Sequence, residues 1–440
     1  MSRGLFIGVV VLTLLAVGVY WSEKAKKASE EKGDPKAPPL LVTLGTGDLQ
    51  KVTIERAGQP PVSVERTDKT WKITTPSPLR ADQTTLDGVE GALRNLRWER
   101  LLDETGALSS YGLAPPKVVI QYSAKGGKQG KLLIGDETPT GGNYFAKLEG
   151  DARVFTLGSG VKSSIDRSLD DLRDKRLLPF DPTSVKTIEL TLGGRNVVLT
   201  KSASSSGESE WKITAPEQLR ADGFQVEELV RKLGDVKAGS ATDPKPPAWL
   251  QPYGRVKVTD AGGTYDLELR QNRADKALYA RSGAIEGLHK APDDLSKSFE
   301  SGADAFRNKK LFDFGFRELS RVEVKAPSGS WVFVKGGDKW WLNGKEMDPA
   351  GTQMLIDKLR ELSATGFPKV KMPAATTELA VTVTEGKKVE RVLAGASGAI
   401  TVAQREGEPT VYQLDPAGLN EVVKAASEVK PTPPPAPAKK

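Results

Sequence analysis

The chain has 440 residues, no cysteine, a single histidine (His289) and a formal net charge of +7. These facts exclude disulfides, thiolate metal sites, cysteine nucleophiles and any multi-histidine zinc site within one chain, and the length calls for more than one core. The excess positive charge lies in the ends. Residues 1–39 hold six Lys/Arg against four Asp/Glu, 430–440 hold three Lys and no acid, and 40–429 carry 55 basic and 53 acidic residues. A nucleic-acid binder concentrates basic charge on its folded surface, so no nucleic-acid partner is expected.

Residues 1–3 form a short head, expected on the cytoplasmic side. Residues 4–21 carry no charge and are long enough for a transmembrane helix, with Tyr20 and Trp21 placed where an interfacial aromatic belt would lie. We expect an uncleaved single-pass anchor in the cytoplasmic (inner) membrane, with the body facing the periplasm or cell exterior. A cleaved signal peptide ending near Ala16-Val17-Gly18 is the alternative. Residues 22–39 read as a charged spacer, and 430–440, Lys-Pro-Thr-Pro-Pro-Pro-Ala-Pro-Ala-Lys-Lys, as a Pro-rich disordered tail.

Between them one stretch occurs twice. Trp71-Lys-Ile-Thr-Thr-Pro-Ser-Pro-Leu-Arg-Ala-Asp82 and Trp211-Lys-Ile-Thr-Ala-Pro-Glu-Gln-Leu-Arg-Ala-Asp222 share nine of twelve positions, and a shorter third copy runs from Trp340 to Asp348. Internal repeats of this kind predict repeated modules, placed at 40–174, 175–308 and, in degenerate form, 309–429. The echo of Arg173-Asp-Lys-Arg-Leu-Leu-Pro-Phe180 in Arg307-Asn-Lys-Lys-Leu-Phe-Asp-Phe314 sets the boundaries.

Each module opens with period-two runs, such as Val52-Thr-Ile54, Val62-Ser-Val64 and Trp71-Lys-Ile73, which predict antiparallel strands. After the Asp, apolar residues fall at matching offsets. Leu86, Val89, Leu93 and Leu96 follow Asp82, and Val226, Leu229, Leu233 and Val236 follow Asp222. Leu355, Leu359 and Leu362 follow Asp348, with Thr352 at the first offset. That is the stripe of an amphipathic helix. Alternation then returns, ending in hairpins such as Tyr144-Phe-Ala-Lys-Leu148 with Val154-Phe-Thr-Leu157. The expected fold class is α+β: three modules, each a mainly antiparallel sheet with a packed amphipathic helix, behind the membrane anchor.

Asp82, Asp222 and Asp348 are read as helix N-caps, and Trp71, Trp211 and Trp340 as core side chains facing the helix stripe. A carboxylate set for glycoside hydrolysis is the sharper reading of the acids, and sugar platforms that of the tryptophans. Arg80 and Arg220 are candidates for gripping an anionic partner group, and Trp249 and Trp331, less bound by the repeat, for exposed contacts. Gly126-Gly-Lys-Gln-Gly-Lys131 lacks Walker spacing, and no catalytic, metal or cofactor motif is legible.

The series Trp71-Lys-Ile73, Ala81-Asp82, Tyr111-Gly-Leu113, Pro116, Leu133-Ile-Gly135 and Tyr144 resembles the bacterial domain-of-unknown-function family 4340. The second module keeps the first half of that pattern and Tyr253-Gly254 of the rest. The resemblance implies a single-span envelope protein of a kind often encoded beside ABC-type exporter subunits associated with gliding motility, with no catalytic residues. The expectation is a non-enzymatic accessory or scaffold of such a complex. A cell-wall glycan or polysaccharide binding module is the alternative, and an undetected hydrolase the third reading.

Overall fold

The computed structural model describes residues 38–102, 106–203, 209–239, 241–242, 250–292, 295, 302–373 and 379–433. The expected anchor at 4–21, Trp249 and tail residues 434–440 lie outside the described residues. No described helix is long and apolar enough to cross a membrane. The chain falls into two compact units, Met1–Lys175 and Arg176–Lys440. It is mainly β, with three antiparallel sheets of eight or nine strands.

In the first unit, β1 (Leu49–Arg56), β2 (Val62–Thr67), β3 (Thr70–Thr75) and the two-residue β4 (Leu79–Arg80) lead into α1 (Gln83–Arg94). β5 (Arg100–Leu101), β6 (Val118–Ala124), β7 (Gln129–Glu137), β8 (Asn143–Leu148) and β9 (Phe155–Gly158) follow, then the short helices α2 (Ser159–Ile165) and α3 (Leu169–Leu172). The sheet order is β4-β3-β2-β1-β6-β7-β8-β9-β5. The inward residues of each strand, among them Val52, Ile54, Trp71 and Ile73, share one core with Leu86, Val89 and Leu93 of α1 and with Leu96 just past its C-cap. Period two on the strands and period 3.6 on the helix thus meet on one buried face.

The second unit holds two further sheets, each with its own core. The first contains β10 (Thr187–Leu192), β11 (Arg195–Ala203), β12 (Ser209–Ala215), β13 (Leu219–Arg220), helix α4 (Gly223–Gly234), β14 (Ala241–Thr242), β15 (Leu250–Thr259), β16 (Thr264–Asn272), β17 (Leu278–Ser282) and β18 (Leu288–Lys290). Its order, β13-β12-β11-β10-β15-β16-β17-β18-β14, is the permutation of the first unit.

The last sheet runs β22-β21-β20-β19-β23-β24-β25-β26. It comprises β19 (Arg321–Ala326), β20 (Gly329–Gly336), β21 (Lys339–Leu342), β22 (Lys345–Met347), β23 (Leu379–Glu385), β24 (Lys388–Ser397), β25 (Ile400–Arg405) and β26 (Val411–Leu414). Helix α5 (Pro349–Glu361) follows β22, and α6 (Pro416–Glu428) packs against α5. The position of the edge strand β5 or β14 is taken by a single bridge, Gly366 to Gln413. Thr352, the polar residue on the helix stripe, is fully buried and donates Oγ1 to the Asp348 carbonyl at 2.9 Å, so its hydroxyl costs little there.

A second use of the repeated stretch appears in the backbone. The residues just before each helix pair with the end of their own module. Ala81 bridges Arg173, Ala221 bridges Arg307 and Met347 bridges Pro431. In each case the N-cap N–H donates outward: Asp82 to Leu172 O at 2.8 Å, Asp222 to Phe306 O at 2.7 Å, Asp348 to Lys430 O at 2.8 Å. This closes the sheet edge at β4, β13 and β22, where unpaired backbone groups would otherwise invite strand addition. The module's opening residues pair just past its helix in the same repeated way, Leu41 N to Leu96 O, Leu177 N to Val236 O and Leu311 N to Leu362 O.

Candidate functional site

In the first unit the repeated residues are occupied structurally. Trp71 is 2% exposed, with the Arg66 guanidinium 4.4 Å from its ring centroid. The Gln83 side chain brackets the Trp71 backbone, accepting from its N–H at 2.7 Å and donating to its carbonyl at 3.0 Å. Asp82 is the N-cap of α1 and accepts from Thr85 N at 2.9 Å. Arg80 lies 3.6 Å from the buried Asp174 of the closing segment.

The second unit repeats the arrangement with one change. Trp211 is 5% exposed, Lys201 sits 5.4 Å over its ring, and both its Nε1 (2.7 Å) and Lys201 Nζ (3.0 Å) donate to Glu227 Oε1. Asp222 caps α4 through Phe224 N and Gln225 N, and Asp348 caps α5 through Gly351 N, with Pro349 at the first helical position. The acids are therefore spent on helix ends. Trp340 departs from the core expectation: it is only half-buried, because β21 and β22 form a short outer hairpin whose inner face sits at the rim of the core. Trp331, read from sequence as free for exposed contacts, is half-buried against the same core, and its ring crosses Gly329, where a β-carbon would come within 2.9 Å.

Within the second unit the two sheets meet at Arg220, and this junction is the strongest candidate site. Ala221 bridges Arg307 of its own module, and Lys310, three residues on, bridges Ser363 of the next. The connection is therefore taut, and it places the Arg220 side chain among groups of the third module. Its guanidinium donates to Lys310 O at 3.0 Å and Tyr412 Oη at 3.2 Å, and pairs with Asp313. Arg405 completes the cluster, reaching Asp313 Oδ2 at 3.1 Å, Glu408 Oε1 at 2.9 Å and Leu311 O at 2.8 Å. Glu390, 6% exposed, accepts from Asp313 N at 2.7 Å and pairs with Lys388 Nζ at 2.8 Å.

Burial by itself would lower the Arg220 guanidinium, but Asp313, Tyr412 and Glu408 outweigh it and hold Arg220 above the usual arginine value. Burial raises the Tyr412 phenol, so it stays a neutral hydrogen-bonding group, donating to Glu408 Oε2 at 3.1 Å. On the other side of the connection, Arg307 stacks 3.6 Å from the Phe367 centroid, and Phe367 lies against Tyr412.

Of the clefts that flank this cluster, two have the more polar linings. The larger, about 1170 Å³, is lined by Lys201, Trp211, Lys212, Arg220, Arg317 and Lys388 with acids including Glu210, Glu227, Glu385 and Glu408. The smaller, about 500 Å³, includes Asp222, Asp304, Arg307, Lys309 and Phe367. Most of these charges are already matched in pairs, such as Lys201 with Glu227 and Arg317 with Glu385. The chemistry the junction performs is holding one module to the next. Among the described residues no group of three or more His, Asp or Glu side chains could hold a metal ion. His289 is buried in β18, with Nε2 3.1 Å from Glu286 O and no partner on Nδ1 among the described residues.

A sequence model of the family described as "Domain of unknown function (DUF4340)" matches residues 71–209 and 211–380. The chain belongs to this family. No curated protein and no solved structure gives a significant match.

The family's separate motifs meet in space. A β-carbon on Gly135 would lie 2.1 Å from the Tyr111 carbonyl oxygen and 2.9 Å from Gly112 C, so the Leu-x-Ile-Gly strand can receive the Tyr-Gly-Leu turn only at a glycine. Gly112 itself has φ +65° and faces Asp136. In this DUF4340 chain the junction residues Asp313, Glu390, Arg405, Glu408 and Tyr412 had no signal of their own in the sequence. Asp313 stands in the echo Arg307–Phe314, where the first copy has Pro179, and Tyr412 in a hairpin strand, and neither place marks a junction.

Proposed function

We propose that this DUF4340 protein is a non-enzymatic scaffold of the cell envelope, held to the cytoplasmic membrane by residues 4–21 and serving as an accessory to an ABC-type export complex of the gliding-motility kind. The observation that carries this reading is the fate of the gripping residues. Arg220, Trp211 and Asp222, which could have served a ligand, are spent on joining module to module, strand to helix, and helix to cap. Charged and aromatic repeat residues that fix the geometry of their own modules suit a spacer that presents binding surfaces. The finer fold class follows the same reading, a membrane helix followed by three α+β modules.

A glycan-binding module would ask for a contiguous exposed aromatic strip. Among the described residues the exposed aromatic side chains Phe224, Phe316 and Trp341 are divided between two modules of the second unit, and this favours the scaffold. The test is mild crosslinking of full-length protein in cells, then detergent solubilisation and identification of partners. ABC permease and ATPase subunits should be recovered, and should be lost when residues 40–429 are deleted behind the anchor. Recovery of cell-wall glycan alone, with no transporter subunit, would overturn the proposal.

A further inference from the structure

The chain leaves the third module beside an exposed indole. Residues 430–432 run as an extra edge along β22. Asp348 N donates to Lys430 O at 2.8 Å, Met347 bridges Pro431, and Thr432 N donates to Glu346 O at 2.9 Å. The next N–H in that register would come from residue 434, which is a proline, as are 433, 435 and 437. A segment without N–H donors cannot go on pairing with a strand edge. What it still offers is apolar ring surface and carbonyl oxygens.

Trp341 stands directly opposite Glu346 on the neighbouring strand β21. It is 38% exposed, and its partner across β20, Val334, is 40% exposed. A β-carbon at Gly336 would come within 3.2 Å of Nε1 and 3.3 Å of Cδ1, so the ring lies on bare backbone and turns its other face outward. Its Nε1 meets no acceptor among the described residues. A flat aromatic face with an N–H donor at its edge suits a polyproline II segment, whose prolines cover the ring while a carbonyl takes the N–H.

The equivalent face of the second module already receives a proline. Strand register matches Trp341 and Glu346 to Lys212 and Arg220, and there Pro409 and Thr410 of the third module close a pocket of about 200 Å³ against Ile213 and Leu219. Lys72 and Lys212 hold the place of Trp341 in the first two modules, so the indole occurs only in the module that the proline run follows. The reach is sufficient. Strands lie about 4.8 Å apart, which puts the Trp341 backbone about 10 Å from Thr432. Five residues of polyproline II span about 15 Å.

We propose that residues 433–437 of this chain's own tail fold back over Trp341 and Val334, with prolines on the outward face of the indole and a tail carbonyl accepting from Nε1. Held there, the tail covers the apolar face that an array of repeats leaves open on its last member.

The test uses full-length detergent-solubilised protein labelled with 5-fluorotryptophan, the Trp341 resonance being assigned from Trp341→Phe. Deleting residues 434–440 should shift that resonance and increase its broadening by a soluble nitroxide, while the other tryptophan resonances stay in place. The triple variant Pro434→Ser, Pro435→Ser, Pro437→Ser should do the same in a chain of full length, and Lys439→Gln with Lys440→Gln should not. The full-length spectrum should be unchanged on dilution. A Trp341 resonance that ignores the deletion would overturn the proposal and leave the face to a separate partner. So would a deletion effect that the serine variant fails to reproduce, since length and not proline would then be responsible. A Trp341 signal that opens to the nitroxide on dilution would overturn it too, by making the tail of a second copy the occupant.

Discussion

Trp211 donates its indole N–H to Glu227 Oε1 at 2.7 Å, whereas Trp71 Nε1, at the equivalent place in the first unit, is buried with no hydrogen-bond partner among the described residues. The reason is one methylene. The residue five past the N-cap is Glu227 after Asp222 but Asp87 after Asp82, and Asp87 reaches only Arg66, at 3.3 Å. A buried donor left unsatisfied costs about 1–3 kcal/mol. Asp87→Glu should therefore stabilise the first unit by about 1 kcal/mol, read as a rise in the urea midpoint at constant m.

Glu227 also gives a pH dependence. Burial would raise its carboxyl, but hydrogen bonds from Trp211 and Lys201 and the lysine's charge bring it below its usual value of 4.5. A carboxylate depressed in the folded state contributes stability that is complete above the unfolded value and lost as pH falls through the folded one. The second unit should lose stability below about pH 4.5, and Glu227→Gln should flatten that acid limb in melts taken from pH 6 to pH 3.

The helix caps predict a contrast between two substitutions. Asp82→Ala and Asp222→Ala should each cost about 1 kcal/mol, while Asn at either position should be nearly neutral because it keeps an acceptor for the helix N–H groups. Denaturant titration of the purified variants checks this. Equal losses for Ala and Asn would show that charge, not capping, matters there.

Trp71 fills the core of the first unit with Leu86, Val89 and Leu93. Its removal should cost about 3–5 kcal/mol, against the roughly 5–15 kcal/mol that a domain has. Trp71→Ala should expose backbone amides of 40–174 to hydrogen exchange while 176–429 stay protected. Loss of protection throughout would mean that the two units fold as one.

Arg220 holds Lys310 O and Tyr412 Oη through Nη1 and Asp313 through Nη2, and a lysine, with its donors on one nitrogen, can take one of these two places but not both. Arg220→Lys should therefore loosen the junction nearly as much as Arg220→Ala. The expected reading is faster exchange at 309–314 with the cores of both modules unchanged.

The sequence by itself determined the repetition and the local elements. Nine identical positions in twelve, period-two runs and the offsets at Leu86, Val89 and Leu93 are local patterns, and a strand or amphipathic helix follows from which residues recur on one side of the chain. The N-cap role of Asp82, Asp222 and Asp348 was legible for the same reason, since a cap acts within three residues of itself. The strand permutation, the pairing of Ala81 with Arg173 and of Ala221 with Arg307, and the cluster joining Arg220 to Asp313, Glu408 and Tyr412 were decided only by the tertiary structure. Those pairs lie about 90 residues or more apart, and an ion pair or backbone bridge has no period to betray it. The same holds for Trp340. Its motif matches Trp71 and Trp211, yet burial depends on how much sheet and helix surround a side chain, and at the short β21–β22 hairpin there is less of both.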